Sequence, residues 1–252
     1  MTWYSRPTEM RALFPDAGDV DPLDAYGRLE RVDGRPTVRL NMIASVDGAA
    51  YVAGRSGSLG GTADKNLFAT LRALADVIVV GAATMRVEGY GPARLADAAR
   101  EWRRESGLGP VPPIAVVTRA CRLEWRSPFF TEAEQRPIVI TAACALAADR
   151  AAAGEVADVV VAGDDGVDLV RAVRCLGELG YDNVLAEGGP GIAAQLAADD
   201  LVDELCLTVS PMLVGGDARR ILSGPAALSD NRLELTRVLT ADGYLFLRYR
   251  RP

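Results

Sequence analysis

The sequence predicts an α/β fold with a mixed, mainly parallel sheet and a C-terminal antiparallel hairpin. Short β-branched apolar runs alternate with amphipathic helical stretches between residues 37 and 198, which is typical of parallel βαβ units. Near the C-terminus, two apolar runs flank a turn at residues 241–243, a pattern that favours an antiparallel hairpin. The 252 residues are 49% hydrophobic and 25% charged, a composition that allows one large core in a single domain.

The first regular elements are predicted after residue 36. Residues 1–36 are rich in Pro, Asp and Gly without a sustained period, so we expect an irregular N-terminal arm before a single domain over residues 37–252. Residues 37–45 have the pattern of a strand. Residues 62–75 have apolar side chains on one helical face, and the β-branched residues that follow, over 76–81, predict a buried strand.

The rest of the chain continues this alternation and then changes to strands alone. The predicted elements are a helix over 93–107, strands over 114–118, 137–141, 157–163 and 182–187, helices over 166–180 and 190–198, and strands over 204–213, 231–240 and 244–250. The last two of these strands form the hairpin, so the sheet is expected to be mixed.

Composition excludes several classes of function. The chain contains no histidine, which excludes Ser-His-Asp and Cys-His triads and most catalytic zinc sites, so no metal site is expected. The four cysteines form no C-x-x-C pair. The net charge is −6 without a basic stripe, so we expect no nucleic-acid partner. We expect no membrane association and a cytoplasmic location, because the apolar runs are short.

The stretch over residues 184–196 places an acid and bare backbone at the end of an apolar run. Glu187 ends the run, and Gly188, Gly189 and Gly191 follow at the start of a predicted helix. Glycines allow close approach of a ligand, and a helix N-terminus attracts phosphate, so the turn suits a pyrophosphate. A tight connection selected for steric reasons is the alternative. The match to the dinucleotide fingerprint G-x-G-x-x-A is weak, because it comes late in the chain.

The Glu187 carboxylate needs a partner if it lies at such a crevice. A ligand amide or amidine would satisfy it, and so would a salt bridge or the N-terminus of a helix.

A second glycine-rich region joins the strand over 37–45 to the next helix. It carries Ser45 and Asp47 in the sequence S-V-D-G, and Asp64 lies at the helix start. Loops of this length inside a compact domain are usually functional lids or binding loops. The simpler alternatives are a turn at Asp47 and a charge that offsets the helix dipole at Asp64.

Two further strand ends carry polar residues. Gly81 and Thr84 follow the strand over 76–81, with Glu88 close behind. Thr118 and Arg119 follow the next strand, and a hydroxyl beside a guanidinium can hold a phosphate monoester such as the 2′-phosphate of NADPH. Taken alone, the position of Arg119 favours a solvated loop residue over a phosphate contact.

Four segments together carry a resemblance to a known family. They are SVDG (45–48), LRALADVIVVGAATMRVEGYG (71–91), LAEGGPGIAAQL (185–196) and LVDELCLTVSPMLVGG (201–216). In this order and spacing, the chain resembles the pyrimidine-reductase domain of riboflavin-biosynthesis enzymes over roughly residues 36–250. The resemblance implies a dihydrofolate-reductase-like three-layer fold, an NADPH-dependent reductase and a homodimer.

The resemblance also implies roles for individual residues. Expected cofactor contacts are Gly81, Thr84, Thr118, Arg119, Gly188 and Gly189, together with Gly191 of the same turn. Glu187 and Asp47 match acids of the active cleft, and Asp64 resembles the carboxylate with which dihydrofolate reductases grip a pterin. Expected substrate contacts are Asn41, Ser45 and Glu88.

The chain departs from the family pattern at two places near the expected substrate. Asn41 stands where the family usually has lysine, and residues 88–90 stand where it usually has Asp-x-Pro. The zinc motif of the companion deaminase domain requires histidine, so any activity is expected to be that of a stand-alone reductase.

These observations predict an enzyme that transfers hydride from NADPH to a pyrimidine- or pterin-type heterocycle, resembling 5-amino-6-(5-phosphoribosylamino)uracil reductase. Hydride transfer requires orientation and electrostatics rather than histidine chemistry. The open alternatives are a reductase of dihydropterins, a deazaflavin as hydride donor, a non-catalytic NADPH-binding protein and a doubly wound dehydrogenase. The last of these would require an all-parallel sheet.

Overall fold

Strands and helices alternate through most of the chain. The computed structural model describes residues 9–32, 34–224 and 231–252. The strands of these residues are β1 (Met10–Phe14), β2 (Gly18–Val20), β3 (Thr37–Ser45), β4 (Val77–Gly81), β5 (Ile114–Val117), β6 (Ile138–Thr141), β7 (Asp158–Val161), β8 (Asn183–Ala186), β9 (Glu204–Ser210), β10 (Glu234–Ala241) and β11 (Tyr244–Arg250). Their helices are α1 (Pro22–Tyr26), α2 (Thr62–Leu74), α3 (Ala82–Glu88), α4 (Asp97–Glu105), α5 (Pro128–Thr131), α6 (Ala147–Val156), α7 (Leu169–Glu178) and α8 (Pro190–Ala198).

All of these strands join in one mixed sheet. Their order is β2-β1-β10-β11-β9-β3-β8-β4-β5-β6-β7. The strands from β9 to β7 in this order pair in parallel, and β11, β10, β1 and β2 add antiparallel pairs at one side. The predicted mixed sheet and C-terminal hairpin are therefore confirmed. The hairpin contradicts the alternative of an all-parallel, doubly wound dehydrogenase.

Two hydrophobic cores lie on opposite faces of the sheet. Successive residues of β4 alternate between them, with Ile78 and Val80 in one core and Val77 and Val79 in the other. This alternation follows from the two-residue period of a strand. Helices α1 and α2 contribute to the first core, and α7 and α8 to the second, so the domain has three layers.

The prediction of an irregular N-terminal arm is wrong for residues 10–26. β1 pairs with β10, β2 pairs with β1, and α1 follows with Asp21 as its N-cap. These elements are short, and β1 becomes a strand by pairing with a segment more than 200 residues away, which no local pattern reveals. Residues 1–8 and 33 of the arm lie outside the described residues, and the domain boundary after residue 36 stays a prediction.

Most other predicted elements are present with shifted ends. Of the helix predicted over 93–107, only Asp97–Glu105 (α4) is helical. The helix predicted over 166–180 is α7, which begins at Leu169, and the Asp168 carboxylate caps it by accepting the Arg171 N–H at 2.9 Å. The strand predicted over 204–213 ends at Ser210, immediately before a proline. Helices α3, α5 and α6 were not predicted. Among the described residues, no helix combines the length and apolar character needed to cross a membrane.

A buried cluster of charges connects α1 to the sheet. The Glu204 carboxylate is fully buried and accepts hydrogen bonds from Arg39, Arg248 and Arg250 at 2.5, 2.7 and 2.9 Å. Arg39 and Arg248 also donate to backbone carbonyls of residues 25–27. Burial acts to raise the pKa of Glu204, but the charges of Arg39 and Arg248 outweigh it and lower this pKa. The Glu204 carboxyl group therefore stays ionised inside the protein.

Candidate active site

Two adjoining cavities lie where the central parallel strands end. Their volumes are about 330 Å³ and 530 Å³, within the range of ligand sites. Both are lined by Tyr51, Thr84, Glu88 and Pro190. The charged residues that line the first cavity are Asp64, Lys65, Arg72, Glu88 and Glu187. Together the cavities form one elongated cleft with a polar end and a wider end.

The glycine turn after β8 packs against the end of β4, as the sequence suggests. The Gly81 N–H donates to the Gly188 carbonyl at 2.8 Å, and a Cβ atom on Gly81 would lie only 3.0 Å from the Ile192 side chain. Gly188 has a φ of +85°, which favours glycine, and the peptide bond to Gly189 is cis. A Cβ atom on Gly189 would overlap the Thr84 hydroxyl. The structure thus brings the predicted glycines and Thr84 together.

The Glu187 carboxylate is held by protein groups. Its side chain is 1% exposed, and Arg72 donates to both of its oxygens at 2.7 Å. The Tyr90 hydroxyl donates to one of the same oxygens at 2.8 Å. Of the three partners considered for Glu187 from the sequence, the structure shows the salt bridge. Burial, and next the negative charge of Glu187, raise the pKa of Tyr90 well above its usual value, so the phenol keeps its proton.

Arg72 is a residue of the candidate site that the sequence reasoning missed. Its guanidinium lies 4.3 Å from the centre of the Phe68 ring, and it lines the first cavity. Asp64, Phe68 and Arg72 are spaced by four residues on α2, so they share one helical face. That spacing, next to the apolar stripe of the same helix, is the signal that could have revealed it.

Asp64 lines the first cavity and differs from Glu187 in its surroundings. Burial raises the pKa of Asp64, and a hydrogen bond with Thr208 partly offsets this effect. A carboxyl with a raised pKa can hold a proton closer to neutral pH than an exposed aspartate can. Asn41, on β3, lines the same cavity.

Glu88 lies at the border between the two cavities and anchors the glycine-rich loop. Its carboxylate accepts hydrogen bonds from the Ser56 N–H and hydroxyl at 2.8 and 2.9 Å. The loop residues Tyr51 and Gly57 line the cleft beside it. The expected substrate residue is therefore also a structural contact of the loop.

The described residues that line the cavities include neither Ser45 nor Asp47. Ser45 is buried, donates its hydroxyl proton to Asp47 and accepts the Ala49 N–H at 2.9 Å, and its expected substrate contact stays a prediction. Asp47 accepts N–H groups of residues 214 and 215. The reason is the tight turn after β3, which directs both side chains toward the backbone.

Thr118 and Arg119 also lie apart from the two cavities. Thr118 is buried, and the Arg119 Nε donates to the Asp165 carbonyl at 2.7 Å. Both follow β5, which is next to β4 in the sheet. Their expected contact with an adenosine phosphate stays a prediction.

The cleft contains groups suited to a phosphorylated ligand. Gly191, in the first turn of α8, does not line either cavity, but a Cβ atom there would meet nothing within 4 Å, so its backbone is open to approach. The N-terminus of a helix attracts anions. Arg219 adds a cation to the lining of the second cavity. Among the described residues, no group of three or more Cys, Asp and Glu side chains is arranged to hold a metal ion.

Comparisons with known proteins give a family match over most of the chain. Residues 36–246 match the family model described as the RibD C-terminal domain. The chain is 28% identical over 202 residues to the 2,5-diamino-6-ribosylamino-4(3H)-pyrimidinone 5′-phosphate reductase of Archaeoglobus fulgidus, a match that covers 79% of this chain and 92% of the relative. It is 32% identical over 223 residues to the reductase of the same name from Methanothermobacter thermautotrophicus, covering 85% and 98%.

A solved structure is similar over most of both chains. It is a pyrimidine reductase-like protein from Corynebacterium diphtheriae, with a TM-score of 0.78, 28% identity and coverage of 85% of this chain and 91% of the other. The dihydrofolate-reductase-like fold expected from the sequence is confirmed.

Replacing Gly188 by alanine is expected to destabilise the protein, whereas the same change at Gly191 is not. An alanine at position 188 would have to keep the left-handed backbone of Gly188, which costs on the order of 1–2 kcal/mol. Its Cβ atom would also lie 3.2 Å from the Met42 sulfur. Gly191 has open space, so Gly191→Ala should change the free energy of unfolding by less than about 0.5 kcal/mol. Urea denaturation measures both values, and equal effects of the two changes would contradict this account.

Proposed function

The chain belongs to the family of the RibD C-terminal domain, and we propose on that premise that it transfers hydride from NADPH to a pyrimidine- or pterin-type heterocycle bound in the first cavity. It is a reductase, as predicted. Its matched relatives are pyrimidine reductases, and the matches cover 92% and 98% of their lengths. The observation that carries the proposal is the cleft, because two cavities that share a wall can bring a donor and an acceptor together.

The second cavity and the glycine turn are proposed to hold NADPH. Gly188, Gly189 and the N-terminus of α8 would face its pyrophosphate, with Thr84 beside them and Arg219 as a cation in the wall. Reduced nicotinamide supplies the hydride when it is bound. We also propose that the enzyme prefers NADPH over NADH. The predicted contact of Arg119 with the 2′-phosphate of NADPH would account for this preference.

The first cavity is proposed to hold the heterocycle. Asp64 can accept hydrogen bonds from ring N–H groups or provide a proton, and the Asn41 amide offers both a donor and an acceptor. Glu187 keeps Arg72 and Tyr90 in position, so its catalytic role would be exerted through these two side chains. Glu88 would contact the substrate at the border between the cavities. By name, the relatives point to a ribosylaminopyrimidine phosphate as the substrate.

A dihydropterin is the second candidate substrate. The observation that favours it is the carboxyl of Asp64, because a single acid at the end of such a cavity can hold the amidine-like edge of a pterin. Asn41, in place of the lysine usual in the family, removes one cation that a phosphorylated substrate would use. Membership of a family of reductases favours either substrate over the non-catalytic alternative.

We expect the enzyme to oxidise NADPH with 2,5-diamino-6-ribosylamino-4(3H)-pyrimidinone 5′-phosphate as the substrate. The kcat/KM with dihydrofolate is expected to be lower. Steady-state absorbance measurements with each substrate give the two values of kcat/KM. NADH and a reduced deazaflavin serve as donor controls. A higher kcat/KM with dihydrofolate would instead favour the pterin, and no turnover with either substrate would overturn the proposed function.

Asp64→Asn is expected to lower kcat by about 100-fold, the scale of acid–base assistance, with little change in the affinity for NADPH. If the protonated acid is the active form, the wild-type rate falls as pH rises through the raised pKa of Asp64, and the variant loses that dependence. Asp97→Asn is the matched control, since Asp97 is exposed in the first turn of α4. Equal effects of the two changes would indicate a loss of helix-dipole compensation only.

A homodimer is also proposed. On β9 and β11, Leu205, Leu207, Leu245 and Leu247 face the same side of the sheet and are partly exposed among the described residues, and a second copy could cover them. Sedimentation equilibrium should give twice the mass of one chain, and a single-chain mass at micromolar concentration would contradict the dimer. The cytoplasmic location expected from the sequence stays a prediction.

A further inference from the structure

Asp47 connects two loops that lie far apart in the sequence. It follows β3 in a tight turn, in which the Gly48 N–H donates to the Ser45 carbonyl at 2.9 Å. Its carboxylate accepts the Val214 N–H at 3.2 Å and the Gly215 N–H at 2.7 Å. Val214 is 167 residues further along the chain, in the segment that follows β9. This contact therefore fixes the position of one loop relative to the other.

The backbone of the second loop is shaped to receive an anion. Gly215 and Gly216 both have left-handed backbones, with φ values of +68° and +66°. Consecutive N–H groups in such turns converge on a negative charge. The Ser45 hydroxyl, followed by the Gly215 and Val214 N–H groups, lowers the pKa of Asp47 to about 2. The carboxylate is thus ionised at any pH at which the enzyme would work.

The loop held by Asp47 forms part of the second cavity. Val214, Ala218 and Arg219 all line that cavity. Backbone hydrogen bonds secure the two ends of the loop, from Val46 N–H to the Met212 carbonyl and from Ala50 N–H to the Arg219 carbonyl. Between these ends, Asp47 is the side chain that binds the loop at residues 214 and 215.

We propose that Asp47 is a positioning residue for the cofactor rather than a residue that contacts the substrate. It holds the loop over residues 212–219 so that Val214 and Arg219 keep their places in the wall of the second cavity. Loss of the negative charge releases the middle of this loop and weakens binding of the phosphorylated donor. The inference rests on the proposed function in one respect, that the second cavity binds NADPH.

The test compares Asp47→Asn with Asp19→Asn. Both changes remove one exposed carboxylate charge, but Asp19 lies on β2, at the outer end of the sheet. Asp47→Asn should raise the Kd for NADPH about tenfold, the usual scale for a hydrogen bond to a charged group, whereas Asp19→Asn should leave it unchanged. Isothermal titration calorimetry measures binding without turnover. Steady-state kinetics should show the KM for NADPH rising more than the KM for the heterocycle.

Hydrogen–deuterium exchange gives a second readout that does not need the cofactor. Peptides that contain residues 213–218 should exchange faster in Asp47→Asn than in the wild type or in Asp19→Asn. Unchanged exchange and unchanged NADPH binding would overturn the inference. So would a rise confined to the KM of the heterocycle, which would place Asp47 at the substrate. If the wild-type enzyme itself fails to bind NADPH, the proposed function fails, and with it the cofactor role, although the exchange data still report the loop contact.

Discussion

The candidate site depends on one buried carboxylate that has to be paired. Burying an unpaired charge costs several kcal/mol, whereas two hydrogen-bonded partners remove most of that penalty. Arg72 and Tyr90 are those partners for Glu187, and they come from α2 and from the segment after α3. The pairing therefore ties three separate parts of the chain together around the first cavity. Its polar wall is set within the protein itself, and ligand binding does not have to assemble it.

Much of the fold could be predicted from local patterns. The β-branched run of β4 and the apolar stripe of α2 have clear periods, and the turn at residues 241–243 predicts the hairpin. β1 could not be found in the same way, because its five residues become a strand only by pairing with β10. Helix α3 begins at Ala82, directly after Gly81, the last residue of β4. No loop separates the two elements, so the sequence gives little sign of where the strand stops.

The candidate site was predictable in its parts but not in its contacts. The glycines at positions 81, 188 and 189 can be identified because bare backbone at strand ends indicates a close approach, either by a neighbouring side chain or by a ligand. The pairing of Glu187 with Arg72 could not be identified, since the two residues are 115 positions apart and the helical spacing that places Arg72 beside Asp64 does not specify its partner. The contact of Asp47 could not be predicted either. The sequence S-V-D-G predicts a turn, but it contains no information on the backbone N–H, 167 residues later, that donates to the Asp47 carboxylate.

The cluster around Glu204 constrains how this sequence can change over evolutionary time. One carboxylate pairs with three arginines from two strands, β3 and β11, and two of those arginines also hold the end of α1. Replacing Glu204 by a neutral residue would leave Arg39 and Arg248 inside the protein without a counter-ion, so a change at position 204 requires changes at positions 39 and 248. Positions 39, 204 and 248 are therefore expected to covary among relatives, either kept as a set or exchanged together for apolar side chains.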